Sequence, residues 1–72
     1  MQAFSVNSFT NPNDQRVHQV FLGGMPITRE LEDLERAISA GFDAYNQAPG
    51  HATLSTWDGD TGADAVEIAR KP

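Results

Sequence analysis

The 72-residue chain contains no cysteine. Disulfide bonds and thiolate-bound zinc or iron–sulfur sites are therefore excluded as sources of stability or of chemistry. A single core in a chain of this length rarely contributes more than about 3–5 kcal/mol of net stability. We therefore expect one small α+β domain over residues 1–72, stabilised by efficient packing or by self-association as a homodimer.

Long apolar runs and an excess of positive charge are also missing. No run approaches the ~18 residues of a membrane-spanning helix, and the first residues lack the basic and apolar regions of a signal peptide. Ten acidic residues against five basic ones give a net charge of −5, which disfavours binding to nucleic acid or to anionic lipid. These absences predict a cytoplasmic protein that binds neither nucleic acid nor membranes directly, and whose partner is a protein with a basic surface.

Four segments have the residue pattern of β-strands, with alternating apolar, β-branched and aromatic side chains. They span residues 3–9, 16–22, 51–57 and 63–70. The turn residues Asn11-Pro12-Asn13-Asp14 and Asp58-Gly59-Asp60-Thr61-Gly62 separate the members of each pair. The sequence therefore predicts two hairpins.

The segment between the two hairpins predicts the only helix. Thr28 is its expected N-cap, because carboxylates that favour the positive end of the helix dipole follow closely, and Pro49-Gly50 ends it by Gln47. Apolar residues at spacings of three and four should face the core. They are Leu31, Leu34, Ile38, Phe42 and Tyr45.

The predicted order of elements is ββαββ. We expect an α+β fold with an antiparallel sheet of about four strands and one amphipathic helix packed on one face. The other face of the sheet would be exposed to water or to a partner.

The densest cluster of carboxylates lies in the turn Asp58-Gly59-Asp60-Thr61-Gly62. A calcium-binding loop starting there would need Asp or Asn at position 62, Gly at position 63 and Glu at position 69, where the chain has Gly62, Ala63 and Ala69. We therefore predict a polar turn, no metal and no other cofactor. A divalent-ion-binding or enzyme fragment remains the second alternative, and its ligands would be Asp58, Asp60 and Asp64.

Neither histidine lies in a pattern typical of catalysis. His18 and His51 both fall in predicted strands, and no serine lies in a strand-to-helix elbow of the Gly-x-Ser-x-Gly kind. Backbone N–H groups at Gly23-Gly24 could cradle a phosphate, but Glu30 and Glu32 would repel the anion. We therefore predict a protein that is not an enzyme.

Protein binding is the function that these patterns favour. The polar side of the helix carries carboxylates that could meet a basic patch on another protein, and Trp57 marks the open face of the sheet. The candidate contact residues are Glu32, Asp33, Arg36, Asp43 and Trp57. We expect a small acidic inhibitor or adaptor that occupies a surface of a larger protein, a profile shared in size and charge with phage and mobile-element proteins. The first alternative is a structural or assembly component that acts through self-association.

Overall fold

One α-helix packs on a five-stranded mixed β-sheet in the computed structural model, which describes residues 1–72. The strands are β1 (Gln2–Thr10), β2 (Arg16–Leu22), β3 (Met25–Pro26), β4 (Ala52–Asp58) and β5 (Val66–Lys71), and the helix is α1 (Leu34–Gln47). Across the sheet the strands lie in the order β3-β2-β1-β4-β5. The α+β class is confirmed, with one more strand than the four expected.

Both predicted hairpins are present. β1 pairs with β2, and β4 pairs with β5, each antiparallel. The Asn11 side chain shapes the first turn, because its Oδ1 accepts hydrogen bonds from the backbone N–H groups of Asn13 and Gln15, each at 3.0 Å. An asparagine that satisfies nearby backbone donors in this way is a common turn device.

The prediction of an all-antiparallel sheet is wrong, because β1 and β4 are parallel, with Gln2 opposite Ala52 and Ser8 opposite Asp58. The cause is the segment Met25–Leu31, which returns along the outer edge of β2. Its backbone pairs with β2 in β3 and again through two hydrogen bonds of 2.8 Å between His18 and Leu31. Because the chain crosses the sheet once more before the helix begins, the helix and β4 run in the direction opposite to the predicted one.

The helix begins at Leu34 and not after Thr28, so the predicted N-cap is also wrong. The Thr28 hydroxyl accepts a hydrogen bond from the Val20 N–H at 3.1 Å and is thereby held beside β2. Asp33 caps the helix instead, since its carboxylate accepts from the Glu35 N–H at 2.9 Å. Pairing with β2 thus outweighs the helical preference of residues 28–33.

The core lies between α1 and the sheet, but the buried stripe of the helix differs from the predicted one. Its buried residues are Ala37, Gly41 and Tyr45, whereas Leu34 is 44% exposed. A Cβ atom at Gly41 would lie 2.8 Å from the Cγ2 atom of Val6, so the missing side chain lets the helix approach the sheet closely. Tyr45 is buried as predicted, and Ile38 and Phe42 pack partly buried against this core, whereas Leu34 does not belong to it.

The sheet face opposite α1 has no helix over it. Because Val6 and Leu54 face Gly41 of the helix, the alternation along each strand directs their neighbours to the other face. This open face includes Ser5, Asn7, Phe9, Gln19, Phe21, Ser55 and Trp57, placed by the register of β1, β2 and β4. The helix is neither long nor apolar enough to cross a membrane.

Candidate functional site at the start of the helix

Two concave surfaces flank the first turns of α1. The acidic hollow, of about 490 Å³, is lined by Arg29, Glu30, Leu31, Glu32, Asp33 and Arg36. The apolar groove, of about 320 Å³, lies between α1 and the β4–β5 hairpin, and its walls include Leu34, Ile38, Thr56 and Val66. Both are open depressions on the surface, so each suits a protruding side chain or a protein surface better than an enclosed small molecule.

Backbone pairing and capping fix the position of the acidic hollow. The two backbone bonds between Leu31 and His18 anchor its floor to β2, and the cap formed by Asp33 fixes where the helix starts. The Glu30 carboxylate accepts a hydrogen bond of 3.0 Å from the side-chain amide of Asn11. The hollow is therefore held by the sheet on one side and by the helix on the other.

The charges in this region are less compensated than elsewhere in the molecule. Ion pairs within 4 Å join Arg16 to Asp58 and Asp60, and join Arg70 to Glu67. The other seven of the ten carboxylates lie outside such pairs. Four of these belong to the short stretch 30–35, namely Glu30, Glu32, Asp33 and Glu35. Arg29 and Arg36 line the same hollow, so the four carboxylates and two guanidinium groups give residues 29–36 a net charge of −2.

The apolar groove exposes side chains that a core would normally bury. Leu34 is 44% exposed and Val66 is 60% exposed, and Ile38 lies half-buried between them. Asp64 stands on the rim of the groove. The combination of an apolar floor and a charged rim resembles the layout of protein–protein interfaces.

A polar network closes the end of the sheet next to the groove. Arg16 Nη1 lies 2.7 Å from Asp60 Oδ2, and Arg16 Nη2 lies 3.2 Å from Asp58 Oδ2. Hydrogen bonds from Arg16 lower the pKa of Asp58, and hydrogen bonds from Thr10 are the main cause of the lowered pKa of Asp60. Two of the three aspartates proposed as metal ligands, Asp58 and Asp60, thus already bind a guanidinium group, which a cation would have to displace.

Ser8 and His18 form a cross-strand pair beside this network. The Ser8 Oγ atom lies 2.6 Å from His18 Nδ1, and the two residues are directly opposite each other in β1 and β2. Burial, and secondly the charge of Arg16, lower the pKa of His18, and both therefore favour the neutral imidazole. The pair resembles a nucleophile and base, but no carboxylate is hydrogen-bonded to the imidazole to orient it as in hydrolytic triads.

The structure brings together three of the five residues predicted as contacts. Glu32, Asp33 and Arg36 line the acidic hollow. Asp43 lies exposed about two helical turns beyond Arg36. Trp57 is 40% exposed, and its ring adjoins Gly59. It lines the apolar groove and not the acidic hollow.

Sequence reasoning missed the apolar groove. The spacing of the large apolar side chains predicts that Leu34 and Ile38, the helix residues of the groove, face the core. The small residues Ala37 and Gly41 were the signal that could have located the packing face, since they repeat with helical spacing one position earlier than Ile38 and Phe42.

The fold and its surfaces define a small acidic α+β protein with one helix on a mixed sheet. Comparison with protein-family models, with curated proteins and with solved structures found no match to this chain. Its function is therefore inferred from its own residues and their geometry.

Proposed function

We propose that the protein is a non-enzymatic protein-binding module that acts as an inhibitor or adaptor by occupying a basic surface of a larger protein. The observation that carries the proposal is the arrangement at the start of α1. There, carboxylates without an ion pair border exposed apolar side chains. Apolar area supplies affinity, and the surrounding charges select and steer the partner.

The acidic hollow supplies the charge for this contact. Glu32 and Asp33 lie exposed on it, and Arg36 is the cation beside them. Asp43 extends the acidic surface along the helix. A partner that presents lysine or arginine side chains would gain electrostatic steering here, and its binding would weaken as salt is added.

The apolar groove supplies the buried part of the contact. Leu34 and Val66 would lose their exposure to water when an apolar side chain of the partner entered the groove. Burial of apolar area contributes roughly 25 cal/mol per Å² before the costs of association are subtracted. The hollow and the groove share the first turns of α1, so one partner can contact both.

Two neutralised variants of the same net charge test the role of the hollow. The first, Glu32→Gln with Asp33→Asn, removes two negative charges from it. It keeps the helix cap, since asparagine caps as well as aspartate does. The control, Asp14→Asn with Glu67→Gln, removes two charges from residues that line neither the hollow nor the groove, and Asp14, at φ 62°, is in a conformation that asparagine tolerates.

The measurement is affinity capture from a lysate of the source cell, with a salt wash, followed by titration of the captured protein with each variant. We expect the first variant to bind at least several-fold more weakly and the control to bind as the parent does. Equal binding by the parent and by both variants would remove the acidic hollow from the interface.

Self-association is the alternative function that a specific observation favours. The free edge of the sheet at β5 carries exposed apolar side chains, with Val66 60% and Ile68 42% exposed. Strand edges of this kind pair readily with another strand.

A further inference from the structure

The two edges of the sheet differ in how readily they can pair with a strand of another chain. At one edge β3 is only two residues long and ends in Pro26, and the backbone of Leu31 pairs with β2 just beyond it. Proline and very short strands are features that block further pairing. At the other edge β5 is six residues long and pairs only with β4.

Apolar side chains on β5 remain exposed to water. Val66 faces the helix side of the sheet, as its pairing with Thr56 shows, yet it is 60% exposed. The pairing of β5 with β4 shifts register between Leu54 and Ser55 and leaves Ile68 without a partner residue on β4. Ile68 is 42% exposed, so both residues lack the cover that a further strand would provide.

Charge is distributed along β5 with one sign at each end. Asp64 and Glu67 lie towards its start, and Arg70 and Lys71 lie at its end. The bulge places Glu67 and Arg70 on the same face, because they pair with Ser55 and Thr53, which both belong to the open face. Within one chain Arg70 Nη2 already lies 2.8 Å from Glu67 Oε1.

We propose that β5 pairs antiparallel with β5 of a second copy of this chain, joining two five-stranded sheets edge to edge. In an antiparallel pair the acidic start of each β5 adjoins the basic end of the other. Glu67 and Arg70 of the two copies then form a group of four alternating charges. Opposite charges on neighbouring strands stabilise a pair and like charges destabilise it.

The same charge order argues for a second copy over other occupants. A parallel strand would bring acidic end to acidic end, and a uniformly charged strand would match only half of β5. The chain itself supplies the complementary strand. Only 13 of the 72 residues are buried, and small domains with little core gain the most from such association. This dimer is one form of the self-association given above as the alternative function. It involves no residue of the acidic hollow and shares Val66 with the apolar groove.

The test uses the oligomeric state of the full chain, measured by sedimentation from about 1 µM to about 1 mM, a range that spans weak and moderate dimers. We expect a concentration-dependent dimer. The variants Glu67→Arg and Arg70→Glu each place like charges across the interface and should weaken the dimer about tenfold. Mixed in equal amounts, they should associate with each other as tightly as the parent chain does with itself.

Control variants distinguish a specific contact at β5 from an effect of net charge and from a loss of the fold. Glu32→Arg and Arg29→Glu make the same changes in net charge on exposed residues away from β5 and should leave dimerisation unchanged. The double variant Glu67→Arg with Arg70→Glu restores both charge matches and should dimerise as the parent does. Circular dichroism of each variant checks that its fold is retained.

Hydrogen exchange supplies a second readout of backbone pairing. Amides of residues 66–71 that do not bond to β4 should exchange more slowly at high protein concentration than at low concentration. A parent chain that stays monomeric across the range would overturn the proposal. A dimer that neither Glu67→Arg nor Arg70→Glu weakens would also overturn it, because the copies would then meet through another surface.

Discussion

The two faces of the sheet are built from the same strands but differ in how much they contribute to the stability of the fold. The face under α1 buries Phe4, Val6, Val20 and Leu54 in one core cluster. The open face lies outside that cluster and mixes polar side chains with Phe9, Val17, Phe21 and Trp57, of which Trp57 is 40% exposed. The contrast teaches that stability is concentrated on one side of the sheet. Residues elsewhere are available for contacts without loss of the fold.

The largest effect on stability is expected when one of two neighbouring residues of β4 is replaced. Leu54→Ala removes a side chain with no solvent exposure and should lower the free energy of unfolding by about 2–5 kcal/mol. Ser55→Ala changes the next residue, on the open face, and should stay within about 0.5 kcal/mol of the parent. Urea titration measures both. Equal losses would show that the open face contributes as much stability as the covered one.

A second test places the same bulky side chain on either side of the helix. Gly41→Val pushes into Val6 and Leu54, which lie 2.8 and 3.3 Å from the added Cβ, and should destabilise the fold by about 1–3 kcal/mol. Ser39 is exposed on the same helix, and Ser39→Val should have little effect because the two residues have similar helix propensities. Thermal unfolding compares them, and a harmless Gly41→Val would refute the close approach of helix and sheet.

A smaller effect on stability is expected at the start of the helix, where two substitutions of Asp33 separate its capping hydrogen bond from its charge. Asp33→Ala removes the side chain that accepts from the Glu35 N–H and should cost about 1 kcal/mol. Asp33→Asn keeps that acceptor and should cost only a fraction of this. If both variants lost the same stability, the charge of Asp33 rather than its capping bond would be what matters. Chemical denaturation with far-ultraviolet circular dichroism makes the comparison.

The smallest expected effect concerns pH. The folded protein lowers the pKa of His18 from 6.5 by burial and by the charge of Arg16, so the unfolded chain binds the proton more tightly. Stability that depends on His18 is therefore fully present above pH 6.5 and declines as the pH falls through the lower folded pKa. Unfolding free energies measured between about pH 5 and pH 7.5 should show this decline, a range that lies above the titration of ordinary carboxylates.

Two histidine variants test whether His18 is the group that makes stability depend on pH. His18→Gln should flatten the dependence of stability on pH, because no titrating group remains at that position. His51 is exposed on the segment before β4, and His51→Gln should leave the decline as it is in the parent. A decline that survives in His18→Gln would have to come from another group.

Local patterns in the sequence predicted the strands and hairpins well, because turn residues and side-chain alternation act over a few positions. The segment Met25–Leu31 could not be predicted in the same way. Its extended form depends on pairing with β2, a tertiary contact that overrides the helix signal at Thr28. One misplaced helix start was enough to reverse the predicted direction of β4.

The candidate site was predicted only in part for a related reason. The charged residues Glu32, Asp33 and Arg36 lie close together in the sequence, so their proximity in the fold follows from their positions. The apolar groove joins Leu34 on α1 to Val66 on β5, residues that meet only because of the sheet order. Hydrophobic character alone also could not show that the small residues Ala37 and Gly41 join Tyr45 in the packing face of the helix.

The parallel pairing of β1 with β4 also shapes how the chain folds. β1 pairs with β2 across a short turn. Its pairing with β4 instead joins Gln2 to Ala52. Closing a loop of that length costs entropy before any contact is gained. We expect the first hairpin to form early and β4 to join late. Folding kinetics would then give Leu54→Ala a lower φ-value than Val20→Ala, and the reverse order would place β4 in the folding nucleus.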